Sequence, residues 1–171
     1  YDRMRKGEMV DTSLIDMSTC RDIFESILKR GNDVLYIGFS SALSGSYNAG
    51  AMVAESLRDA YSERKIVTID SLSASMGEGL LVYYAAEQRR AGKSIDAVSD
   101  WLIENRLHLC HWFTVDDLFH LKRGGRISAA TALVGTMLGV KPVLHVDDEG
   151  KLVSVGKVRG RRKSLEALVD E

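Results

Sequence analysis

A chain of 171 residues, 45% hydrophobic and 27% charged, has the make-up of a folded globular protein with a real core, which excludes a disordered or fibrous chain. Its formal net charge of −1 gives no global pull toward nucleic acid or an anionic membrane. Two cysteines, Cys20 and Cys110, cannot build a disulfide framework and stand in no metal-ligand spacing, so both read as reduced and packed. No apolar run reaches the roughly eighteen residues of a membrane span, and no signal peptide is present, so the reading is a cytoplasmic protein without stable membrane insertion. The chain starts at Tyr1 and stops inside a helical pattern, "LEALVDE", which reads as a piece of a longer protein.

Residues 19–30, "TCRDIFESILKR", predict a helix. Thr19 and Asp22 form a capping-box pattern, Ile23, Ile27, Phe24 and Leu28 share a face, and Gly31 suits the left-handed stop. "DVLYIGF" (33–39) is a short continuous apolar run, the pattern of a strand covered on both faces in a parallel sheet. "YNAGAMVAESLRDAY" (47–61) returns to helical spacing, "KIVTID" (65–70) is a second buried strand, and "EGLLVYYAAEQRRAG" (78–92) is a helix ended by Gly92. Ser94 caps a further helix with Ile95, Val98 and Leu102 on one face. Alternating strands and helices predict an α/β first domain over residues 1–106, with parallel crossovers.

The pattern changes over residues 107–171. "LCHWFTV" is strand-like, "DDLFHLKRGG" is a short helix with a glycine stop, and "SAATALVGTMLG" is a helix capped by Ser128. "KPVLHVDDEGKLVSVGKVRG" predicts a hairpin turning at "DDEG". These elements predict an α+β second domain. The late basic cluster of Lys157, Arg159, Arg161, Arg162 and Lys163 is either a solvated helix start or a contact patch.

Both parallel strands run into small polar residues. Ser40, Ser41, Ser44, Gly45 and Ser46 follow the first, and Asp70, Ser71, Ser73, Ser75 and Gly77 follow the second. Ligands of open α/β sheets lie beyond the carboxyl ends of strands, where helix N-termini present unpaired amides. Hydroxyls beside such amides hold a carboxylate or phosphate, or simply cap the helix. Spacing leaves both readings open. Signatures of catalysis are missing: there is no phosphate loop, dinucleotide fingerprint or nucleophile elbow. His108, His111, His120 and His145 are scattered without metal spacing and read as structural. No serine has a base at readable spacing, so the hydroxyls look like binders.

"SSA" followed by "LSGSY", then "IDSLSASMGEGLLV", "FTVDDLFHLKRGGRIS", "LGVKPVLHVDDEGKLV" and "KVRGRRKSLEAL", resemble successive motifs of the DegV family of fatty-acid-binding proteins, in order, from Val10 to Glu171. The resemblance implies an α/β first domain, an α+β second domain and one long-chain fatty acid held between them. It implies carboxylate ligands at Thr12, with Ser13 beside it in "DTSLID", and at Ser44, followed by Gly45. Two departures stand out: Leu14 and Ile15 replace the usual Gln-Pro, and Ser46 replaces a threonine. The family's opening strand with its Asp-Ser pair, and its closing His-containing segment, are not in this sequence, so the implied site is supplied here only in part.

A carboxylate costs several kcal/mol to desolvate without partners, and the Thr12 and Ser44 hydroxyls with the Gly45 amide would provide them. An acyl chain gains ~0.8 kcal/mol per buried methylene, on the order of 10 kcal/mol for a long one before entropic losses. Phe113, Leu133, Val134, Met137 and Leu138 are expected either to line its tunnel or to be plain helix core. In "KRGGRIS", Gly124 and Gly125 suit a helix stop, and Arg126 either reaches a partner or the crevice mouth, or braces the Asp116–Asp117 turn. The family's role implies a carrier that presents its fatty acid to a fatty-acid kinase subunit, with no catalytic residue, cofactor or metal of its own. The rival reading is an enzyme acting on a small phosphorylated substrate in the same serine-rich crevice.

Overall fold

The computed structural model describes residues 2–10, 12–116, 118–127 and 139–171. A single helical turn, α1 (Asp2–Arg5), precedes an extended stretch that leads into α2 (Met17–Leu28). The cap of α2 is Asp16 rather than Thr19: its carboxylate accepts from the Thr19 amide at 2.8 Å. A carboxylate so placed also meets the positive end of the helix, and hydrogen bonds from Ser18 and Thr19 hold Asp16 at a pKa of about 2. The buried stripe is Cys20, Phe24 and Leu28, whereas Ile23, expected on that face, is half exposed.

Strand β1 (Val34–Gly38) pairs in parallel with β2 (Ile66–Asp70), Val34 opposite Ile66 and Gly38 opposite Asp70. The helix between them is α3 (Ser46–Leu57). Two further helices follow, α4 (Ser75–Arg90) and α5 (Ile95–Asn105), the latter capped by Ser94 as the sequence predicts. Strand side chains alternate between two cores. Val34 and Ile66 pack with Phe24, Leu28, Val53 and Leu57 of α2 and α3. Ile69, Val67, Leu35 and Ile37 pack with Leu81, Ala85, Val98 and Leu102 of α4 and α5. Such two-sided burial explains why both strands read as unbroken apolar runs.

After a single 3-10 turn (Arg106–His108), the chain enters an antiparallel sheet ordered β3-β4-β5, with β3 (Trp112–Phe113), β4 (Val140–Val146) and β5 (Leu152–Arg159). Of the strand-like run 109–115, only Trp112 and Phe113 pair, opposite His145 and Leu144. The hairpin turn is "DDEG", as expected: Asp147 Oδ1 accepts from the Glu149 and Lys151 amides at 3.1 and 2.8 Å, and Gly150 takes φ 76°. A β-bulge interrupts the β4–β5 register at Val143/Leu144. Short α6 (Phe119–Arg123) ends in a Schellman turn, the Arg126 amide reaching Leu121 O at 3.0 Å and the Gly125 amide reaching Lys122 O at 2.9 Å. Only Gly125 is left-handed there; Gly124 remains right-handed helical. Leu118, Ile127 and Leu144 form the third core, with α7 (Arg161–Val169) closing the chain beside β4 and β5. The expected helix over 128–139, with Leu133, Val134, Met137 and Leu138, lies outside the described residues save for Gly139.

Candidate functional site: an amphipathic cleft

A cleft of about 1080 Å³ opens beyond the carboxyl ends of β1 and β2, its walls drawn from both sheets' surroundings. That volume stands just above the roughly 300–1,000 Å³ of small-molecule sites. Most of its hydroxyls come from the stretch before α2 and the N-terminus of α3. Thr12, Ser13, Ser44 and Ser46 all face the cleft, so the residues singled out in two distant motifs meet in space. Ser46 fastens them together. Its Oγ lies 3.0 Å from Ser44 Oγ and accepts from the Ile15 amide at 3.4 Å, tying the 12–15 stretch to the helix. Ser44 Oγ in turn accepts from the Ser46 amide at 3.2 Å. Gly45 caps α3 without a side chain and sits beneath Leu14, its place in the cleft taken by that neighbour.

The rest of the lining is largely apolar. Met9, Leu14, Phe39, Leu43, Met76 and Leu80 line it together with Trp112, Phe113, Leu121, Val146 and Leu152. Phe113 is the one described member of the expected acyl-lining set, and it does line the cleft. Of the lining residues that sequence reasoning missed, Met9, Leu14, Phe39 and Leu43 lie outside every helix and strand, whereas Met76, Leu80, Leu121, Val146 and Leu152 sit on elements whose cleft-facing side periodicity does not single out. Their signal is exposure: Met9, Leu14 and Met76 are 64, 59 and 81% exposed in a chain with ample core.

Not every serine of the junction serves the cleft. Ser40, Ser71 and Ser73 are completely buried. Ser40 Oγ donates to Gly150 O at 2.8 Å, and Ser73 Oγ donates to Ser71 O at 2.9 Å. Asp70 Oδ1 gathers the Ser41 and Leu72 amides at 3.2 and 3.0 Å. For these residues the structural reading of the junction is the right one. Ser75 and Leu72 both take positive φ, 53° and 49°, at the turn that leads into α4. Such backbone strain persists only where the surroundings enforce it.

His111, read from sequence as structural, is both structural and cleft-lining. Its ring packs against Gly77, where any Cβ would come within 1.7 Å of Cε1. Its Nε2 is 3.1 Å from Ser73 Oγ. Since the Ser73 proton already goes to Ser71 O, His111 Nε2 is the donor of that bond. Burial, and secondarily the charge of His145, push the His111 pKa below its ordinary 6.5. Cys110, expected to be packed, is instead exposed and faces the cleft, whereas Cys20 is buried in the first core and its thiol is pushed up by desolvation.

Arg126 lines the cleft with Arg123 and His120. Its Nε donates to Leu43 O at 3.2 Å and its Nη1 to Gly124 O, while Lys141 pairs with Asp116 at 3.1 Å; Asp117, the other residue of the turn Arg126 was expected to brace, lies outside the described residues. In the late basic cluster every cation is exposed, and Arg162 pairs with Glu166. Among the described residues no group of His, Cys, Asp and Glu is placed to hold a metal ion. Nor is any described helix long and apolar enough to cross a membrane.

Fold and cleft together define an α/β protein with a parallel sheet, an antiparallel sheet and an amphipathic cleft at the carboxyl edge of the parallel strands. The DegV family model, described as "Uncharacterised protein, DegV family", matches residues 1–171, and the chain belongs to that family. A DegV domain-containing protein of Clostridium perfringens is 46% identical over 171 residues, covering 100% of this chain and 59% of its own length. Among solved structures, a DegV lipid-binding protein of Thermotoga maritima superposes with a TM-score of 0.85 at 27% identity, over 99% of this chain and 57% of that one. A stearic-acid-binding protein of Eubacterium ventriosum gives a TM-score of 0.84 at 28% identity, over 94% of this chain and 54% of that one. The chain thus spans less than two thirds of the length of the relatives it matches.

Proposed function

We propose that this chain forms the greater part of a long-chain fatty-acid carrier, with the carboxylate held by the hydroxyls of Thr12, Ser13 and Ser44 at the N-terminal end of α3. The single observation that carries the reading is the make-up of the cleft: hydroxyls from two distant segments brought together at a helix N-terminus, within a lining that is otherwise largely apolar. That combination matches an amphiphile with one anionic group, because the hydroxyls and amides offset the cost of desolvating the carboxylate. The walls then take the tail at ~0.8 kcal/mol per methylene. The ligands of the lipid-binding and stearic-acid-binding relatives point the same way. On this reading the protein divides into an α/β domain over 1–106 and an α+β domain over 107–171, the ligand lying between. It works in the cytoplasm and presents the bound acid to a fatty-acid kinase subunit, which carries out the phosphorylation. Arg126, at the cleft mouth, would contact that partner. Phe113 would line the tunnel, with Leu133, Val134, Met137 and Leu138 beside it.

Native mass spectrometry of the full-length protein purified from a bacterial host tests this directly. A retained long-chain acid is the expected result. A bound nucleotide or sugar phosphate would replace the carrier by an enzyme acting in the same crevice.

A further inference from the structure

Beneath the cleft, four hydrogen bonds form a closed circuit between segments far apart in sequence. The Ser40 amide donates to Ser73 O at 2.9 Å, and Ser73 Oγ receives His111 Nε2 at 3.1 Å. His111 O accepts from the Val146 amide at 3.1 Å. The hairpin turn then carries the chain from Val146 to Gly150, whose carbonyl accepts from Ser40 Oγ at 2.8 Å. The circuit joins the ends of β1 and β2 to β4 and its turn. Its serines are fully buried. Residues next to three members line the cleft, Phe39 beside Ser40, Ala74 beside Ser73 and Trp112 beside His111, and Val146 and His111 line it themselves.

The fit is tight where the hairpin lands. A Cβ on Gly150 would stand 2.2 Å from Ser40 Oγ and 3.1 Å from Leu72 Cα, and Gly150 already holds φ 76°, where side chains are strained. Leu72, on the opposite side of that contact, is itself held at φ 49°. Buried hydroxyls cost free energy unless satisfied, and a satisfied polar circuit admits one docking geometry where an apolar contact would allow sliding.

We infer that Ser40 and Gly150, acting through this circuit, are positioning residues that set the separation of the cleft walls and hence its affinity for ligand. Neither residue touches the ligand. The inference rests on the carrier reading, and its test separates the two. In the full-length protein, binding of cis-parinaric acid, a fluorescent long-chain fatty acid, is titrated for wild type, Ser40→Ala, Gly150→Ala and the double variant. Gly150→Ala weakens binding by about tenfold or more, and Ser40→Ala by a few-fold. The double variant binds better than the product of the single losses, because removing Oγ relieves the collision. Melting temperatures that fall while affinity stays at the wild-type value would overturn the positioning role, as would strictly additive losses. Should Gly150→Ala fail to fold, Ser40→Ala alone decides. If the wild type takes up no cis-parinaric acid, the carrier reading falls, and hydrogen exchange then decides for the circuit. Ser40→Ala should speed exchange of the Val146 amide at its far side, and loosening confined to the Gly150 turn would refute it.

Discussion

Ser40 and Ser44 lie four residues apart in one loop and meet opposite ends. Ser40 is wholly buried and bonded to a hairpin more than a hundred positions away, while Ser44 opens onto the cleft beside Ser46. Leu80 and Leu81 repeat the contrast one residue apart on α4: Leu80 is 40% exposed and lines the cleft, and Leu81 is fully buried in the second core. The same residue type, nearly the same position in sequence, does two kinds of work. One side of each pair holds the walls in place, and the other is left free to meet a ligand. Buried members should therefore govern stability, and affinity only through the walls they hold, whereas cleft members govern affinity directly.

Leu81→Ala tests the structural side most severely. Truncating a fully buried leucine between α4, α5 and the sheet should cost about 2–5 kcal/mol, read from urea unfolding. The neighbouring Leu80→Ala should change stability by less than about 1 kcal/mol, as for surface positions, and show itself in weaker fatty-acid binding. Equal destabilisation by the two would erase the division.

Ser44→Ala should weaken carboxylate binding by about 1.5–3 kcal/mol, the worth of a hydrogen bond to a charged acceptor. Calorimetry with stearic acid measures it, and an unchanged dissociation constant would remove Ser44 from the site. The ligand-free melting temperature should barely move, since the Ser44 hydroxyl bonds only to Ser46, two residues on at the start of α3.

Ser40→Ala should lower stability, at slightly smaller size, alongside the few-fold loss of affinity transmitted through the cleft walls. Leaving the buried Gly150 carbonyl without its donor should lower unfolding stability by about 1–3 kcal/mol. An unfolding midpoint equal to wild type would show that the circuit beneath the cleft carries no load.

The smallest effect is a pH dependence. Burial and His145 lower the folded pKa of His111 below the ordinary 6.5, so the unfolded chain takes up the proton more readily. Stability from this residue is complete above about 6.5 and is lost as pH falls through the lowered folded value. Urea midpoints between neutral and mildly acidic pH should decline for wild type and decline less for His111→Gln, which keeps a donor for Ser73. Parallel slopes would assign the pH dependence elsewhere.

Much of this organisation is legible in the chain itself. Continuous apolar runs at 34–38 and 66–70 specify strands covered on both faces, because only two-sided burial rewards that pattern. Ser94, Gly31, Gly92 and the "DDEG" turn act through local backbone geometry, which sequence encodes directly. Where a competing local signal lay close by, the reading slipped. Asp16 outcompeted Thr19 as a cap because its carboxylate reaches the Thr19 amide and carries charge toward the helix dipole. The "LCHWFTV" run shortened to a two-residue strand because only Trp112 and Phe113 find partners on β4.

By itself, then, the sequence determined the alternation of elements, the serine-rich junctions and, through its ordered motifs, membership of the DegV family. Periodicity, capping and turn chemistry act over a few residues, and a run of small hydroxyl side chains looks the same whichever way each one points. Only the tertiary structure decided that Thr12 and Ser44 share a cleft, that Ser40, Ser71 and Ser73 do not, and that His111 belongs to both wall and foundation. Those assignments depend on contacts across many tens of residues, such as Ser40 to Gly150 and Arg126 to Leu43. Burial of a hydroxyl is set by what the rest of the chain packs against it, a quantity no local stretch contains.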